Sequence, residues 1–256
     1  MPGSPDLGDQ FPVEYDKVGE RYQAGRDLPD SVLDAWRAAI WPFLPSARPL
    51  TVLNLGAGTG IFTRAWPRWC ACRVVTIEPS HGMRAAAIVA GIPKEAVLVA
   101  GVGEALALRD NAVDVAWLFT VFHHLRDPRR CAKELRRVVA SNGTVMIGGL
   151  FADRGEIGWL PFFPGAETVR SRFPSASATI GLFAETGFEL STALEVESRI
   201  HPLAGDAADW ARKMRQADSL LNSFDDTEFE LGVAALEAAP SEPIVNRLTM
   251  LAFTTH

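Results

Sequence analysis

The sequence has few of the features that mark secreted or membrane proteins. Its three cysteines, Cys70, Cys72 and Cys131, are an odd number without a disulfide pattern, and the C-x-C pair lacks nearby ligand partners, so we expect reduced thiols and no metal. No apolar run approaches the ~20 residues that span a bilayer. The N-terminus shows no basic stretch followed by an apolar one. These absences predict a cytoplasmic protein without a membrane partner.

Basic charge is also scarce. The chain has 25 Lys and Arg residues against 31 Asp and Glu residues, a net charge of −6, and no dense basic run. Because nucleic acid is bound mainly through positive charge, we expect no nucleic-acid partner. The 256 residues, 48% of them hydrophobic, can bury one substantial core. We predict a disordered tail at residues 1–12 and one α/β domain over 13–256, as a monomer or a homodimer.

A strand followed by a glycine loop is the most informative stretch. Residues 51–55 are a short apolar run that indicates a buried parallel strand. Gly56, Gly58 and Gly60 follow at alternate positions, where the chain must turn sharply and let its backbone approach a ligand. Glu78 ends the next apolar run, about 20 residues further on, where nucleoside-binding α/β units hold ribose hydroxyls.

The glycine spacing distinguishes two ligands. The dinucleotide fingerprint G-x-G-x-x-G needs a glycine where this chain has Ile61, so an NAD-dependent oxidoreductase is the weaker alternative. The order V-L-N-L followed by G-x-G-x-G resembles motif I of the class I S-adenosylmethionine (SAM) dependent methyltransferases, in particular the small-molecule members of methyltransferase type 11. The resemblance implies a Rossmann-like fold, SAM as cofactor, S-adenosylhomocysteine as product and a small-molecule acceptor.

Two later segments are similar to further motifs of that family. E-P-S-H-G-M resembles motif II, which implies that Glu78 and Pro79 bind the cofactor and that Met83 flanks the adenine; core packing is the alternative for Met83. G-V-G-E-A-L-A-L is similar to the family segment G-D-A-E-x-L-P-F. This similarity places Gly103 and Glu104 at the adenine edge, although Glu104 could equally serve as a carboxylate at a helix start.

Two positions depart from the family pattern. Val102 stands where the family has Asp, which removes one contact to the adenine amino group. Asn54 stands where an acidic residue usually precedes the glycines, and it offers the methionine end a carbonyl acceptor without charge. These departures keep open a second alternative, a methyltransferase-like protein that binds SAM or a partner without turnover.

The resemblance also extends to the N-terminal segment, residues 13–45. The pattern Y-D-x-x-x-x-x-Y-x-x-x-R looks like the N-terminal lid of many small-molecule methyltransferases, with structural cover as the alternative for its tyrosines. Taken together, the resemblance implies cofactor binding by Tyr15, Tyr22, Asn54, Gly56, Ala57, Gly58, Gly60, Glu78, Pro79, Met83, Gly103, Glu104 and Thr120.

A histidine pair is the candidate for the chemical step. His123 and His124 follow a predicted strand at 113–119, at the end where ligands sit in an open α/β sheet. An unperturbed imidazole titrates near ~6.5, which suits a general base. The pair resembles the motif IV region of the small-molecule members, and adjacent residues point in different directions, so at most one is catalytic. Helix capping or packing under the lid is the alternative.

The acceptor class follows from one further absence. The D/N/S-P-P-Y/F/W motif of enzymes that methylate the amino groups of nucleic acids does not follow the predicted strand at 113–119. Together with the acidic charge, this favours methyl transfer to an O or N atom of a small organic molecule, for example a natural-product intermediate.

The order of elements predicts the architecture. Strand and helix repeat five times over 46–150, the predicted SAM-binding core, and right-handed crossovers then give a doubly wound, mostly parallel, seven-stranded sheet. The closing strands are expected within 177–199 and 241–256. The aromatic-rich segment 151–176 and the helical segment 200–240 are predicted to cap a substrate pocket, with a packed surface excursion as the alternative for 151–176.

Overall fold

The computed structural model describes residues 28–46 and 48–255, and a seven-stranded sheet lies at its centre. The order across the sheet is β3-β2-β1-β4-β5-β7-β6; β7 is antiparallel to both neighbours and the other pairings are parallel. The predicted doubly wound, mostly parallel sheet is therefore confirmed. The strands are β1 (Leu50–Leu55), β2 (Cys72–Ile77), β3 (Ala96–Val99), β4 (Val113–Phe119), β5 (Val139–Gly149), β6 (Phe188–Ser198) and β7 (Asn246–Thr255).

Helices cover both faces of this sheet. Within the described residues, none is both long and apolar enough to cross a bilayer. The α-helices are α1 (Asp30–Ile40), α2 (Ile61–Trp69), α3 (His81–Ala90), α4 (Pro128–Val138), α5 (Ala166–Arg170), α6 (Ala176–Glu185), α7 (Ala204–Met214) and α8 (Asp226–Ala238). Single turns of 3-10 helix occur at Trp41–Phe43, Phe122–His124, Leu160–Phe162 and Leu221–Ser223.

The core has two layers because alternate strand residues point to opposite faces. On one face, Val115 and Trp117 of β4 pack in a cluster with α1, α2, α7 and α8. On the other, Ala116 and Leu118 pack with α4 and α6. This alternation fixes the register of β4, whose predicted bounds agree with the structure.

Helix α1 buries the predicted stripe of Val32, Leu33, Trp36 and Ile40. The Trp36 ring lies edge-on to Trp117, with 5.5 Å between ring centroids. Asp and Ser are favoured N-cap residues, so the sequence predicts that Asp30 or Ser31 caps α1, and this prediction is wrong. Pro29 occupies the N-cap position and its carbonyl accepts from the N–H groups of Val32 and Leu33, so Asp30 lies in the first turn instead.

Helix α2 contradicts the prediction that Pro67 would end it. The helix continues through Pro67 to Trp69, although proline cannot donate its intrahelical hydrogen bond. Trp66 and Trp69 are both buried and pack edge to face with centroids 5.4 Å apart. Burial of these two large rings outweighs the lost hydrogen bond.

Two further local predictions were wrong. The apolar run at 96–100 predicts a buried strand, but β3 forms an edge of the sheet, and Val97 and Val99 are exposed. The Ser-Asn-Gly triplet at 141–143 predicts a turn before the fifth strand, but β5 already begins at Val139. The register of its pairing with β4 shifts between Val139 and Thr144, and Asn142 has φ 61°. Residues 141–143 therefore form an irregularity within the strand.

The C-terminal third agrees broadly with the sequence pattern. Strand β6 has the predicted bounds, and α6 begins three residues before the expected 179, capped by the Ser175 hydroxyl, which accepts from the N–H of Ala178 at 3.0 Å. The region predicted as helical over 202–239 contains α7 and α8. The segment 151–176 is mostly irregular; it contains the short α5, the 3-10 turn at Leu160–Phe162 and the first residue of α6.

Candidate active site

A cavity of about 680 Å³, here called the larger cavity, opens at the carboxyl ends of β1, β2 and β4. From the neighbouring strands β1 and β4 the chain winds in opposite directions, and such a switch point is where doubly wound sheets bind ligands. Ten residues predicted from the sequence to bind a cofactor line it: Asn54, Gly56, Ala57, Gly58, Glu78, Pro79, Met83, Gly103, Glu104 and Thr120.

The other three candidates are not on its wall. Gly60 is absent from the lining; its φ of 80° and the bond from its N–H to the Ala57 carbonyl, 2.9 Å, shape the turn into α2. Gly60 therefore contributes to the site through the conformation of the loop.

Tyr15 and Tyr22 lie outside the described residues, so their predicted contact with a cofactor stays a prediction.

The glycine loop exposes bare main chain to the larger cavity. Gly56 and Gly58 have φ of 65° and 55°, which residues with side chains rarely adopt. A Cβ on Gly56 would lie 2.1 Å from a Val121 methyl carbon, so this glycine permits close packing against the loop after β4. A Cβ on Gly58 would meet nothing within 4 Å. A side chain there would enter free space at the cavity wall, where a ligand can approach.

Glu78 holds this loop in place. Its side chain is 6% exposed; one carboxylate oxygen accepts from the N–H of Gly58 at 2.8 Å and the other from the N–H of Ser80 at 2.9 Å. The Arg84 guanidinium donates to the Glu78 carbonyl at 2.9 Å. Because each carboxylate oxygen can accept more than one hydrogen bond, Glu78 can fix the loop and also bind a ligand hydroxyl.

Asn54 belongs to a buried polar chain beneath the loop. Its amide nitrogen donates to the Thr63 hydroxyl at 3.0 Å, and that hydroxyl lies 3.1 Å from the Thr76 hydroxyl. An ionised carboxylate at position 54 could not donate this bond. These hydrogen bonds, which link β1, α2 and β2, therefore give a local reason for asparagine at position 54, where the family has an acidic residue.

The opposite wall of the larger cavity carries Gly103 and Glu104. A Cβ on Gly103 would lie 2.8 Å from the Cys131 sulfur, so the backbone packs directly on α4. One oxygen of Glu104 accepts from the N–H groups of Arg126 at 2.9 Å and Asp127 at 3.3 Å. Glu104 therefore serves as a carboxylate before a helix start, the alternative role, while it also lines the cavity.

Met83 and Thr120 both line the larger cavity, and each also has a structural role. Met83 packs in the first core layer, which confirms the core role, and it also lines the larger cavity, where contact with adenine stays a prediction. Thr120 has φ 52°, and its N–H donates to the Gly148 carbonyl at 2.8 Å. This geometry bends the chain as β4 ends and directs it towards the histidine pair.

The structure separates the two histidines. His123 and His124 lie in the 3-10 turn after β4, with ring centroids 4.0 Å apart. His124 lines the larger cavity and also a second one, whereas His123 lines only the second and packs on Phe173 at 4.7 Å. His124 is therefore the member of the pair that reaches both spaces.

The second cavity, here called the smaller cavity, has a volume of about 100 Å³. It shares Leu28, Phe119, Thr120 and His124 with the larger cavity, so the two adjoin.

Both predicted cap segments contribute to the smaller cavity. Trp159 and Phe173 come from 151–176, and Trp210 comes from 200–240. Phe163 instead packs in the core, stacked on Phe224 at 5.0 Å. The aromatic character of 151–176 is therefore divided between cavity wall and core.

Sequence reasoning missed most of the polar wall of the smaller cavity. The sequence offers His201 only as a weak candidate for a general base, and no motif marks the other members because they come from separate segments. These residues are Ser198, His201, Asp218, Ser219 and Asn246. In the larger cavity, the sequence did not single out Val121, Arg126 and Asp127 as site residues. They follow β4, at the end of the strand where the sequence analysis places ligands.

The cysteines take no part in either cavity. All three are reduced, and among the described residues no group of His, Cys, Asp and Glu side chains could hold a metal ion. A hydrogen bond from the Cys72 thiol lowers the pKa of Cys70 to about 7, and the same bond raises that of Cys72. Burial raises the pKa of the Cys131 thiol.

The strand order, the antiparallel β7 and the glycine loop at the switch point define the class I methyltransferase fold. Residues 53–147 match the family model described as "Methyltransferase domain". This match and the fold confirm the resemblance to the class I SAM-dependent methyltransferases.

Individual relatives agree with this assignment. An uncharacterized methyltransferase of Mycolicibacterium gilvum is 32% identical over 114 residues, which are 44% of this chain and 43% of the relative, so the match spans less than half of that protein. A putative methyltransferase from an antibiotic biosynthesis pathway of Anabaena variabilis has 21% identity and a TM-score of 0.67, with 86% of this chain and 96% of that one covered. The [4+2]-cyclase SpnF has 17% identity and a TM-score of 0.66, with 96% of this chain and 98% of that one covered. At these identities, the solved structures show the fold alone.

Proposed function

We propose that the protein is a SAM-dependent methyltransferase that transfers a methyl group to an O or N atom of a small organic acceptor. The observation that carries this proposal is the contact of Gly58 with Glu78, 2.8 Å from amide nitrogen to carboxylate oxygen, at the switch point of the sheet. Bare main chain and a carboxylate are there side by side, which suits a nucleoside sugar.

The larger cavity fits SAM in size and in chemistry. Its volume of about 680 Å³ lies in the range of pockets that enclose ligands of this size. Glu78 would hold the ribose hydroxyls, Met83 and Val102 would supply apolar surface for the adenine, and Asn54 would face the methionine end. When bound, SAM supplies a sulfonium methyl carbon that is already electrophilic, so the protein need not create a leaving group.

The chain must then position the acceptor, exclude water and remove a proton. His124 stands where the two cavities adjoin, within the wall of each. A neutral imidazole there can accept a proton from an acceptor hydroxyl or ammonium. His123, packed between His124 and Phe173, would orient its neighbour's ring.

The smaller cavity would hold the acceptor. Its walls come from both cap segments, and Trp159, Phe173 and Trp210 give it apolar surfaces that exclude water. The Anabaena variabilis neighbour is described as part of antibiotic biosynthesis, which supports a natural-product intermediate as the acceptor.

One other function has specific observations in its favour. Asn54 and Val102 depart from the family pattern, and the neighbour SpnF is a [4+2]-cyclase with this fold, which favours a protein that binds SAM without methyl transfer. An NAD-dependent oxidoreductase is weaker, because Ile61 lines the larger cavity where the dinucleotide fingerprint requires glycine.

Calorimetry with SAM, S-adenosylhomocysteine and NAD tests the cofactor, and incubation of the protein with labelled SAM and cell extract, followed by mass analysis, tests transfer. We expect both sulfur compounds to bind, NAD not to bind, and one extract component to gain a methyl group. Gly58→Val should weaken S-adenosylhomocysteine at least ~10-fold, because its side chain fills the free space and its backbone is strained.

Gly181→Val is the matched control, since Gly181 lies exposed on α6 with no atom within 4 Å of a built Cβ. Binding of NAD alone would contradict the proposal. Binding of S-adenosylhomocysteine without a methylated product would favour the non-catalytic function.

A further inference from the structure

Two of the three cysteines lie together at the end of the sheet remote from the larger cavity. Cys70 directly follows α2, and Cys72 begins β2 at its amino end, whereas the larger cavity opens at the carboxyl ends of the strands. Neither cysteine lines either cavity. The pair therefore takes no part in the proposed methyl transfer.

The backbone brings both cysteine side chains to the same face of the sheet. Cys70 is extended, with φ −152° and ψ 165°, and residues two apart in an extended chain point the same way. Cys72 belongs to the first core layer, and Cys70 packs against that layer. Two residues of extended chain span about 6.4–6.8 Å, so neighbouring thiols at this spacing can approach each other. The Cys72 thiol donates a hydrogen bond to the Cys70 sulfur.

Basic groups lie beside Cys70. In the parallel pairing of β1 with β2, Leu50 lies opposite the first residue of β2, so the register places Arg48, two residues before Leu50, next to Cys70. Arg37 and Arg48 lie over the same tryptophan ring, with guanidinium carbons 5.6 and 5.9 Å from its centroid. Two positive charges therefore face this sulfur, one from α1 and one from the segment before β1.

These contacts favour the thiolate form of Cys70. The hydrogen bond from Cys72 and the charges of Arg48 and Arg37 lower the pKa of Cys70 from its ordinary value of 9.0 to about 7, although partial burial opposes them. At pH 7 about half of this group is then thiolate, against a few per cent at most for an ordinary thiol. Because nucleophilicity falls with pKa, the net gain in rate with a small disulfide is about 5-fold. Cys70 is also partly exposed, so a small molecule can reach it.

The other two cysteines are protected. Cys72 is 6% exposed, and its pKa is raised because it donates to Cys70, with burial and the nearby Glu95 adding to this effect. Cys131 is fully buried, which raises its pKa as well. Since the thiolate is the nucleophile in thiol–disulfide exchange, both should be inert. The extended spacing of Cys70 and Cys72 also lies at the upper limit for a disulfide, which disfavours an internal bond.

We propose that Cys70 is a site of reversible modification by small disulfides, such as glutathione disulfide, and that Cys72 is a positioning residue that activates it. The Cys70 thiolate attacks one sulfur of the disulfide, whose S–S bond breaks as a new S–S bond to Cys70 forms. The other half leaves as a thiolate with the electrons of the broken bond and takes up a proton from water. Cys70 is thereby oxidised, the leaving sulfur is reduced, and Cys72 remains a thiol.

Incubation with glutathione disulfide at pH 7, followed by mass analysis of the whole chain and of its peptides, tests the site. We expect one glutathione per chain, attached to Cys70 and released by dithiothreitol. Cys70→Ser should gain no mass. Ala85→Cys in that background places an ordinary thiol on the exposed face of α3, as a matched control. It should react ~5-fold more slowly than Cys70 does in the unaltered protein.

Alkylation by iodoacetamide across pH tests the role of Cys72. This reagent is uncharged, so its rate follows the thiolate fraction and not attraction to the arginines. We expect a midpoint near pH 7 for Cys70 and one above pH 8 for the Ala85→Cys control. Cys72→Ala removes the donor and should raise the Cys70 midpoint by ~1 pH unit or more, while Cys72→Ser keeps a donor and should restore most of the difference. Thermal melts show whether these variants fold.

The inference is overturned if Cys70 has a midpoint above pH 8, if it reacts no faster than the Ala85→Cys control, or if Cys131 is modified in its place. A bond between Cys70 and Cys72 instead of a mixed disulfide also contradicts it. If both Cys72 variants leave the Cys70 midpoint unchanged, the positioning role of Cys72 fails. None of these measurements uses SAM or an acceptor, so their outcome is independent of the proposed function.

Discussion

The two adjoining cavities are built in different ways. Apart from Leu28, the described walls of the larger cavity come from short segments within residues 54–130. The smaller cavity draws its walls from segments scattered between residues 28 and 248. In the larger cavity, backbone conformation at Gly56 and Gly58 decides the shape, whereas side chains of the cap decide it in the smaller one. Among the described residues, the proposed cofactor site is therefore local in sequence, and the proposed acceptor site is not.

The cavities also differ in charge. The larger cavity carries carboxylates and guanidinium groups, among them Glu78, Glu104, Arg126 and Arg130, and can satisfy a ligand with charges of both signs. Among the described residues that line the smaller cavity, Asp218 is the only Asp, Glu, Lys or Arg. If this contrast is correct, substitutions in one cavity should leave binding in the other nearly unchanged.

The largest effect is expected at the junction of the cavities. His124→Ala should lower turnover by ~10²-fold or more, with near-normal affinity for S-adenosylhomocysteine, because a general base contributes about that factor. His123→Ala should cost less, since His123 lines only the smaller cavity. Rates measured across pH for both variants, with exposed His81→Ala as control, check this order. Two silent variants would show that positioning suffices without a base.

A substitution in the larger cavity should have an intermediate effect. Glu78→Ala removes a buried charged acceptor for ribose and also frees the N–H of Gly58, so S-adenosylhomocysteine should bind ~30- to 150-fold more weakly. Calorimetry measures the change, and Glu167→Ala, an exposed residue of α5, is the control. Unchanged cofactor affinity would contradict the role assigned to Glu78.

The smallest effect is expected behind the larger cavity, where Glu134 accepts from the Leu106 N–H at 2.8 Å. A hydrogen bond from Arg137 lowers the pKa of Glu134 below its ordinary value of 4.5. The folded pKa is therefore below the unfolded one, so this stabilisation is present at neutral pH and is lost as pH falls through the lowered pKa. Glu134→Gln should cost about 0.5–1 kcal/mol of unfolding free energy at neutral pH, and less in acid.

Denaturant unfolding at several pH values measures this difference. Glu230→Gln, at an exposed ion pair with Arg212, should change stability by less. A pH-independent loss in Glu134→Gln would assign the effect to packing instead of charge.

Local patterns predicted much of the fold and of the larger cavity. The bounds of β4 follow from a largely apolar run of residues, and ten of the proposed cofactor residues line the larger cavity. Patterns failed where long-range contacts compete with local preference. Pro67 stays inside a helix because two neighbouring tryptophans are buried, and β3 is exposed because nothing pairs with its outer edge among the described residues.

The glycine loop, the acidic residue after β2 and the alternation of strand and helix were predictable from the sequence, because each depends on neighbours along the chain. The histidine that lines both cavities is evident only from the folded chain, as is the proximity of Ser198, Asp218 and Asn246 in one small space. Those positions have no common spacing or motif. Their proximity arises from the antiparallel pairing of β6 with β7 and from the packing of the cap, which are contacts between distant parts of the chain.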